Sequence, residues 1–258
     1  MANRTGIEWT DITWNPVTGC TQVSAGCDNC YALTLAHRLL RQHYTKRLPE
    51  RDTSGNRRDP FAVRLWPERL EEPLHWRGSQ RVFVNSMGDL FHVDVPDAFV
   101  RAVFEVMLTT EQHVYQILSK RPSRMARFIN KHHDLFSHGV VPSHIWLGTS
   151  IENQRVAYRA DHLRRVNASV RFLSCEPLLG SVRLDLEGIH WLIAGGESGI
   201  HHRPLNLDWV RQLRDACLDA GVPFFFKQVG GRTPKAGGNI LDGRTWTQYP
   251  DVPSAVLA

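Results

Sequence analysis

The sequence lacks any uninterrupted apolar run long enough to span a bilayer, and it does not open on the charged and then apolar pattern of a secretory signal. We therefore expect a protein that stays in the cytoplasm and has no membrane partner. Linkers of biased composition are also missing, which predicts a single domain over residues 1–258. Neither sign of charge dominates: Lys and Arg number 31, Asp and Glu 26, and the net charge of +5 favours an anionic partner only modestly.

Cysteine is scarce, at five residues, and unevenly distributed. Cys20, Cys27 and Cys30 fall within eleven residues, and thiols on so short a Gly-containing loop can turn toward one zinc ion or iron-sulfur cluster. A short apolar run precedes the loop and a helical pattern begins at Tyr31, which predicts a strand-to-helix junction. His37, in the first turns of that helix, is a candidate fourth ligand for zinc. Buried or unpaired thiols are the alternative interpretation.

Beyond residue 81, short apolar runs with strand character alternate with amphipathic helical segments. The runs are 82–85, 114–118, 145–149, 170–174, 191–195 and 223–227. With the run before Cys20 they predict about seven strands in a parallel sheet with right-handed crossovers. The predicted fold class is α/β, a full or partial (β/α) barrel of the triosephosphate isomerase (TIM) type, with a doubly wound open sheet as the alternative. Residues 47–81 are predicted as an irregular insertion after the first helix, and residues 231–258 as a C-terminal extension.

Polar residues follow the predicted strands at their carboxyl ends, where parallel α/β folds build their sites. After the loop cysteines, the set continues with Asn85, Ser86, Met87, Asp89, Ser119, Lys120, Arg121, Thr149, Ser150, Glu152, Asn153, Ser174, Cys175, Glu176, Glu197, Ser198, Lys227 and Gln228. Helix capping or a turn would explain any one of them, but their recurrence after each strand predicts a functional edge. Gly195 and Gly196, after an apolar run, indicate a close backbone approach to a ligand.

Eight blocks of the sequence resemble the phage gene-product 37/68 family, which is also described as a domain of unknown function. The blocks are 6–20, 27–31, 83–92, 118–122, 146–152, 172–180, 195–199 and 226–228. This family is similar in outline to radical S-adenosylmethionine (SAM) enzymes, whose partial barrels carry three cluster-binding cysteines after the first strand. Their usual motif places three residues between the first two cysteines, whereas six separate Cys20 from Cys27. The spacing of Cys27 and Cys30, followed by Tyr31, fits the motif.

The resemblance implies that the three cysteines hold a [4Fe-4S] cluster, with one iron left for the amine and carboxylate of SAM. In such enzymes, one-electron reduction releases methionine and a 5'-deoxyadenosyl radical that takes a hydrogen atom from the substrate. An electron donor is then an expected partner. Three groups of strand-end residues are expected to hold the methionyl amine, the ribose or carboxylate, and the adenine side of SAM: Ser86 and Asp89; Thr149, Ser150 and Glu152; and Gly195, Gly196 and Glu197.

Nucleic acid or a nucleotide is the predicted substrate class, as in DNA repair or base modification. The most one-sided basic segment supplies the candidate nucleic-acid-binding residues Lys120, Arg121, Arg124, Arg127 and Lys131. Arg124, Arg127 and Lys131 recur at helical spacing, which would align them for phosphate contacts. The insertion 47–81 interleaves arginines with aromatic residues that can stack on bases, although its acids offset much of the charge.

Two other hypotheses remain open at this stage. In the first, the three cysteines and His37 form a structural zinc site in a nucleic-acid-binding module without catalysis. In the second, the chain is a metal-independent barrel hydrolase that uses its strand-end carboxylates as acid and base. Those carboxylates are Asp89, Glu152, Glu176 and Glu197.

Overall fold

The computed structural model describes residues 3–233 and 235–251. The strands are β1 (Asn3–Arg4), β2 (Ile12–Trp14), β3 (Val17–Thr18), β4 (Arg64–Leu65), β5 (Arg81–Val84), β6 (Val114–Ser119), β7 (Val141–Ser150), β8 (Ala168–Cys175), β9 (Trp191–Gly195), β10 (Phe224–Gln228), β11 (Ile240–Leu241) and β12 (Arg244–Thr245). The α-helices are α1 (Tyr31–Arg38), α2 (Arg41–Tyr44), α3 (Ser54–Arg58), α4 (Asp97–Thr109), α5 (Pro122–Lys131), α6 (Arg159–Arg164) and α7 (Leu207–Ala220). Short 3₁₀ helices span Ala25–Cys27, Pro67–Arg69, Glu72–His75, His133–Leu135, Ser137–Gly139 and Gln154–Val156.

Eight strands form one sheet in the order β1-β2-β5-β6-β7-β8-β9-β10. The seven strands from β2 to β10 run parallel, and β1 adds an antiparallel edge. No pairing joins β1 to β10 within the described residues, so the sheet is an open, partial barrel. The predicted α/β fold with a parallel sheet is confirmed, in its partial form. The parallel sheet could be predicted from the sequence because strands buried on both faces, such as β9, are continuous apolar runs.

The two faces of the sheet are covered differently. One face packs against the helices; α4, for example, buries Val100, Val103, Phe104 and Met107. The other face carries an aromatic cluster with no helix in it, made of Trp9, Phe83, Trp146, Phe172, Trp191 and Phe225. A β-carbon at Gly148 would lie 2.4 Å from the ring of Phe172, so the cluster fills the space up to the strand backbone. It occupies the amino-terminal part of the concave face and leaves the carboxyl edge to polar residues.

Residues 47–81 contain α3 and β4, and β4 pairs with β3. The fully buried Arg64 fixes this segment by donating to the carbonyl oxygens of Arg47, Asp59 and Ala62 at 2.8–2.9 Å. In the predicted C-terminal extension, β11 and β12 form a hairpin, and the Phe226 amide donates to the carbonyl of Trp246. Residues 252–258 of that extension lie outside the described residues. No helix in the described part of the chain is both long and apolar enough to span a membrane.

Candidate functional site

The segment that we call the cysteine loop, residues 20–30, lies across the carboxyl edge of the parallel sheet. Its start is fixed by main-chain hydrogen bonds, because the Gly19 amide donates to the Met87 carbonyl at 2.8 Å and the Cys20 amide to the Phe61 carbonyl at 3.0 Å. Gly19 has a φ of 87°, and a β-carbon there would lie 2.3 Å from the carbonyl oxygen of Ala62. Only glycine therefore allows the chain to enter the loop by this path.

The Cys20 end of the loop contacts Arg121, which follows β6. Arg121 in turn forms a salt bridge with Asp89, which follows β5. The Arg121 Nη1 atom lies 2.8 Å from Asp89 Oδ2 and 3.2 Å from Cys20 Sγ. Its Nη2 atom donates to the carbonyl of Thr21 at 2.9 Å. Asp89 is itself held by the Ser119 hydroxyl, which donates to Oδ1 at 2.8 Å. This pair ties the Cys20 end of the loop to two neighbouring strands.

A second salt bridge, between Glu152 and Arg159, is almost completely buried, with side chains 0% and 3% exposed and a distance of 2.9 Å. Arg159 also donates to the Ser24 hydroxyl at 2.9 Å, and the Gly26 amide donates to Glu152 at 3.3 Å. Burial opposes ionisation of Glu152, but the hydrogen bond from Ser24 and the charge of Arg159 outweigh it and lower the pKa of this carboxyl. The middle of the loop thus rests on a buried carboxylate.

A third salt bridge joins Glu197, after β9, to Arg203 at 2.5 Å. Arg203 donates to the carbonyl of Ala25 at 2.9 Å and contacts Asp28 at 3.2 Å, and the Asn29 amide donates to Glu197 at 2.9 Å. Burial opposes ionisation of Glu197, but the hydrogen bonds from Arg203 and Asn29 prevail and lower its pKa. The end of the loop before Cys30 is held in this way.

The same arrangement therefore occurs three times: a carboxylate near a strand end binds an arginine, and that arginine reaches the cysteine loop. Asp89, Glu152 and Glu197, which the sequence indicated as cofactor ligands, each have oxygens occupied by this anchoring. Both oxygens of Glu152 and of Glu197 accept hydrogen bonds within this anchoring, which disfavours these two residues as the acid or base of the hydrolase hypothesis.

The three loop cysteines are partly buried and are free thiols. Burial and the charge of Asp89 raise the pKa of Cys20 to about 11, although Arg121 acts in the opposite direction. No three His, Cys, Asp or Glu side chains among residues 3–233 and 235–251 are grouped closely enough to hold a metal ion. The donor chemistry nevertheless fits a metal group, because three soft ligands occur on a single anchored loop.

His37 lies on α1 with its side chain 45% exposed, and its Nε2 atom is 3.4 Å from Asp59. It is directed to the insertion. This contact with Asp59, and not with the cysteine loop, disfavours His37 as the fourth ligand of a zinc site.

Tyr31 brings the loop to the end of β5, because its hydroxyl donates to the carbonyl of Ser86 at 2.6 Å. Desolvation and the charges of Cys30 and Glu176 raise the pKa of the phenol, although the residue is 48% exposed. Glu176 forms a salt bridge with Lys227 at 2.5 Å, with both side chains 17% exposed. These residues form a polar rim beside the cysteine loop.

The remaining strand-end candidates are mostly engaged with the protein itself. The buried Thr149 hydroxyl donates to the Ser119 carbonyl at 2.8 Å, and the carbonyl of Ser150 accepts from Arg159 at 3.0 Å. A β-carbon at Gly196 would lie 1.9 Å from the carbonyl oxygen of Val229, so the close backbone approach at this glycine is to the segment after β10. Gly195 is less constrained, with the nearest atoms of Glu176 3.4 Å from its β-carbon position.

The predicted nucleic-acid-binding residues divide into two groups. Lys120 and Arg121 lie at the carboxyl edge, and Arg121 is committed to the cysteine loop. On α5, Arg124 and Lys131 both pair with Asp97, at 3.4 and 2.8 Å, and Arg127 is exposed.

Sequence reasoning missed Arg159, Arg203 and Asn29, which lie away from the strand ends along the chain. A signal was present for the two arginines, since each follows a strand-end glutamate by six or seven residues.

Comparison with known proteins gives one family and two solved structures. Residues 4–250 match the model of a family described as a protein of unknown function, DUF5131. A comparison with curated proteins gives no match. A spore photoproduct lyase double mutant with bound AdoMet and dinucleoside spore photoproduct is similar, with a TM-score of 0.49, 12% identity and coverage of 83% of this chain and 63% of that chain. A spore photoproduct lyase complexed with dinucleoside spore photoproduct gives a TM-score of 0.48 with the same identity and coverage. The chain spans less than two thirds of either protein.

Proposed function

We propose that this chain, which belongs to the DUF5131 family of proteins of unknown function, is a radical SAM-like iron-sulfur enzyme that acts on nucleic acid or a nucleotide. The observation that carries the proposal is the placement of the cysteine loop. Three free thiols occur on a loop that three arginine–carboxylate pairs fix over the carboxyl edge of a partial (β/α) barrel. This edge is where parallel α/β proteins carry out their chemistry.

In this proposal, Cys20, Cys27 and Cys30 hold the cluster. When bound, a [4Fe-4S] cluster with three protein ligands leaves one iron for the amine and carboxylate of SAM and supplies the electron that cleaves it. The resemblance to phage gene-product 37/68 proteins, a cytoplasmic location and an external electron donor are further parts of the same proposal.

The protein itself would orient SAM and exclude water. Ser86, Thr149, Ser150, Gly195 and Gly196 lie along the carboxyl edge and are the proposed SAM contacts. The acids Asp89, Glu152 and Glu197 would contribute mainly by holding the loop and by the negative charge that they place beneath it. The aromatic cluster on the concave face closes the site from below.

The proposed substrate contacts follow the basic residues of the sequence. Lys120, at the carboxyl edge, and Arg127, exposed on α5, are the members of the predicted set that form no salt bridge with a carboxylate in the described part of the chain. Arg121, Arg124 and Lys131 would add to the local positive electrostatic potential while they remain paired with Asp89 and Asp97. This arrangement supports a weak phosphate contact at α5.

The test is anaerobic purification followed by iron, sulfide and zinc analysis and an absorbance spectrum, repeated after addition of SAM and dithionite. About four irons per chain, a broad visible band and release of 5'-deoxyadenosine would support the proposal. Stoichiometric zinc without iron would overturn it and make the cysteine loop a structural zinc site. Replacement of the three cysteines by alanine is the matched control, and it should abolish the visible band.

A further inference from the structure

The positive charge of the chain is concentrated in one segment. Residues 31–58 contain seven Arg and Lys and two Asp and Glu, a net charge of +5 that equals the net charge of all 258 residues. The rest of the chain is therefore electrically balanced. Charge gathered on one surface attracts a polyanion more strongly than the same charge spread over the molecule.

Most of this charge is available to a partner. Within the segment, Arg47 pairs with Glu68 and Arg57 with Asp52. The other five cations are exposed, and their side chains have no hydrogen-bond or ion-pair partner in the part of the chain that the structure describes: Arg38, Arg41, Lys46, Arg51 and Arg58. We call these five residues the basic surface.

The basic surface is held in place by the opposite side of the same segment. Ala32, Ala36 and Tyr44 are buried against Phe61, Trp66 and Met87, so α1 and α2 are fixed and their charged sides face solvent. Leu39, 73% exposed, adds an apolar contact between the cations. Six of the seven cations in the segment are arginine, whose planar guanidinium group matches a phosphate with two hydrogen bonds.

The segment that carries the basic surface begins beside the proposed site. Helix α1 begins immediately after Cys30, and its first residue, Tyr31, reaches the Ser86 carbonyl at the end of β5. Helix α5 likewise starts at the carboxyl edge, after β6, with Arg124 in its first turn and Lys131 as its last residue. Two of the three α5 cations are paired with Asp97. The stronger anionic contact is therefore expected at the basic surface, whose cations have no ion-pair partner among the described residues.

We infer that the basic surface is where the phosphate backbone of a nucleic-acid substrate docks. The inference rests on the proposed function for the identity of the partner, because a phosphate backbone and an acidic protein carry the same sign of charge. Cations distributed over residues 38–58, four of them arginines, suit a run of phosphates, and exposed Leu39 suits the apolar face of a base.

The experiment compares two triple variants that remove the same charge. The test variant is Arg38→Gln, Arg41→Gln and Lys46→Gln, and the matched control is Arg77→Gln, Arg155→Gln and Arg165→Gln, all at exposed positions. Binding of a fluorescein-labelled single-stranded DNA is followed by fluorescence anisotropy over a range of salt concentrations. Thermal melting of each variant verifies that it is folded.

In the test variant, the slope of log affinity against log salt should become shallower by about 2, since each lost phosphate contact removes about 0.7. At low salt, the test variant should bind about tenfold or more weakly than the parent, and the control variant within about twofold of it. Equal losses in both variants, or an unchanged slope in the test variant, would overturn the inference. A third variant, Arg124→Gln with Arg127→Gln and Lys131→Gln, measures the contribution of α5 and should change the slope by less than the test variant.

A separate competition experiment tests the alternative that the basic surface binds an acidic protein. If poly-L-glutamate of matched charge displaces the labelled DNA as effectively as unlabelled DNA does, the surface recognises acidic polypeptides and the inference fails. The binding assay needs no turnover, so its failure is distinct from failure of the proposed function. If the protein binds iron and cleaves SAM but the variants bind DNA equally, the inference about the docking surface is wrong and the proposed function stands.

Discussion

The guanidinium of Arg121 lies 3.2 Å from the sulfur of Cys20 while it holds the carboxylate of Asp89 at 2.8 Å. The first cysteine of the loop is therefore coupled through one side chain to the ends of β5 and β6. Its environment is mixed, because burial and Asp89 disfavour the thiolate and Arg121 favours it. A ligand in such a setting depends on the residues around it as well as on its own sulfur.

Arg121→Met should weaken metal binding by about tenfold or more, since loss of a residue that orients a ligand typically has that effect. The reason is that Cys20 and the Thr21 carbonyl both lose their contact with the strand ends. Competition with a chelator, followed through the visible absorbance, measures the affinity. Arg127→Gln, on the same stretch of chain but exposed, is the control. Equal affinities in parent and Arg121→Met would mean that the loop keeps its shape without this pair.

Arg159→Met should destabilise the protein by about 3–5 kcal/mol, because it leaves the fully buried Glu152 carboxylate without its partner. The measurement is urea unfolding of the metal-free protein, with Arg155→Gln as an exposed control four residues away. The thiols of Cys27 and Cys30 should also react faster with a thiol reagent, since Ser24 loses its anchor. A loss of stability below about 1 kcal/mol would argue against a structural role for the pair.

Stability should fall as the pH drops through the acidic range, in part because of Glu152. Its pKa in the folded protein is lowered from an ordinary value of 4.5. A lowered folded-state pKa contributes stability that is complete above the unfolded pKa and is lost as the pH falls through the folded one. In Glu152→Gln, the unfolding free energy should therefore depend less steeply on pH below 4.5 than in the parent. Parallel curves for the two proteins in that range would refute the assignment.

His37→Ala should leave the metal content unchanged. Its pair with Asp59 is exposed and long, at 3.4 Å, so its loss should change stability by no more than about 1 kcal/mol. Elemental analysis of the purified variant, beside Cys30→Ala as a positive control, is the measurement. If the metal were lost in His37→Ala as completely as in Cys30→Ala, a zinc site with His37 as fourth ligand would be the better account.

The fold was largely predictable because its signal is local. Each parallel strand of the sheet matches an apolar run of the sequence, and polar residues at the ends of those runs do meet at one edge, as at Asp89, Glu152 and Glu197. Burial of both faces of a parallel strand makes this pattern strong. The openness of the barrel was not predictable, since periodicity within a strand does not report whether the first and last strands pair.

The roles of those strand-end residues depended on contacts between their arginine partners and the cysteine loop, which is far away along the chain. Arg159 contacts Ser24 across 135 residues, and Arg203 contacts Ala25 across 178 residues. No local pattern encodes such contacts. The sequence therefore indicated these acids as cofactor ligands, whereas in the structure they hold the cysteine loop. The charge of residues 31–58 was visible in the sequence, yet its significance depends on which cations find partners. Among the described residues, Arg47 and Arg57 have ion-pair partners, and Arg38 and Arg41 have none.

The sequence by itself determined the alternation of strands and helices, the grouping of three cysteines on one loop and the polar edge that faces them. These features follow from the spacing of apolar residues and the chemistry of single side chains. Only the tertiary structure decided that Asp89, Glu152 and Glu197 are bound by arginines. It also decided that Arg124 and Lys131 of α5 form salt bridges with Asp97. The physical reason is that the strength of an ion pair depends on distance and burial, which are set when remote segments of the chain pack together.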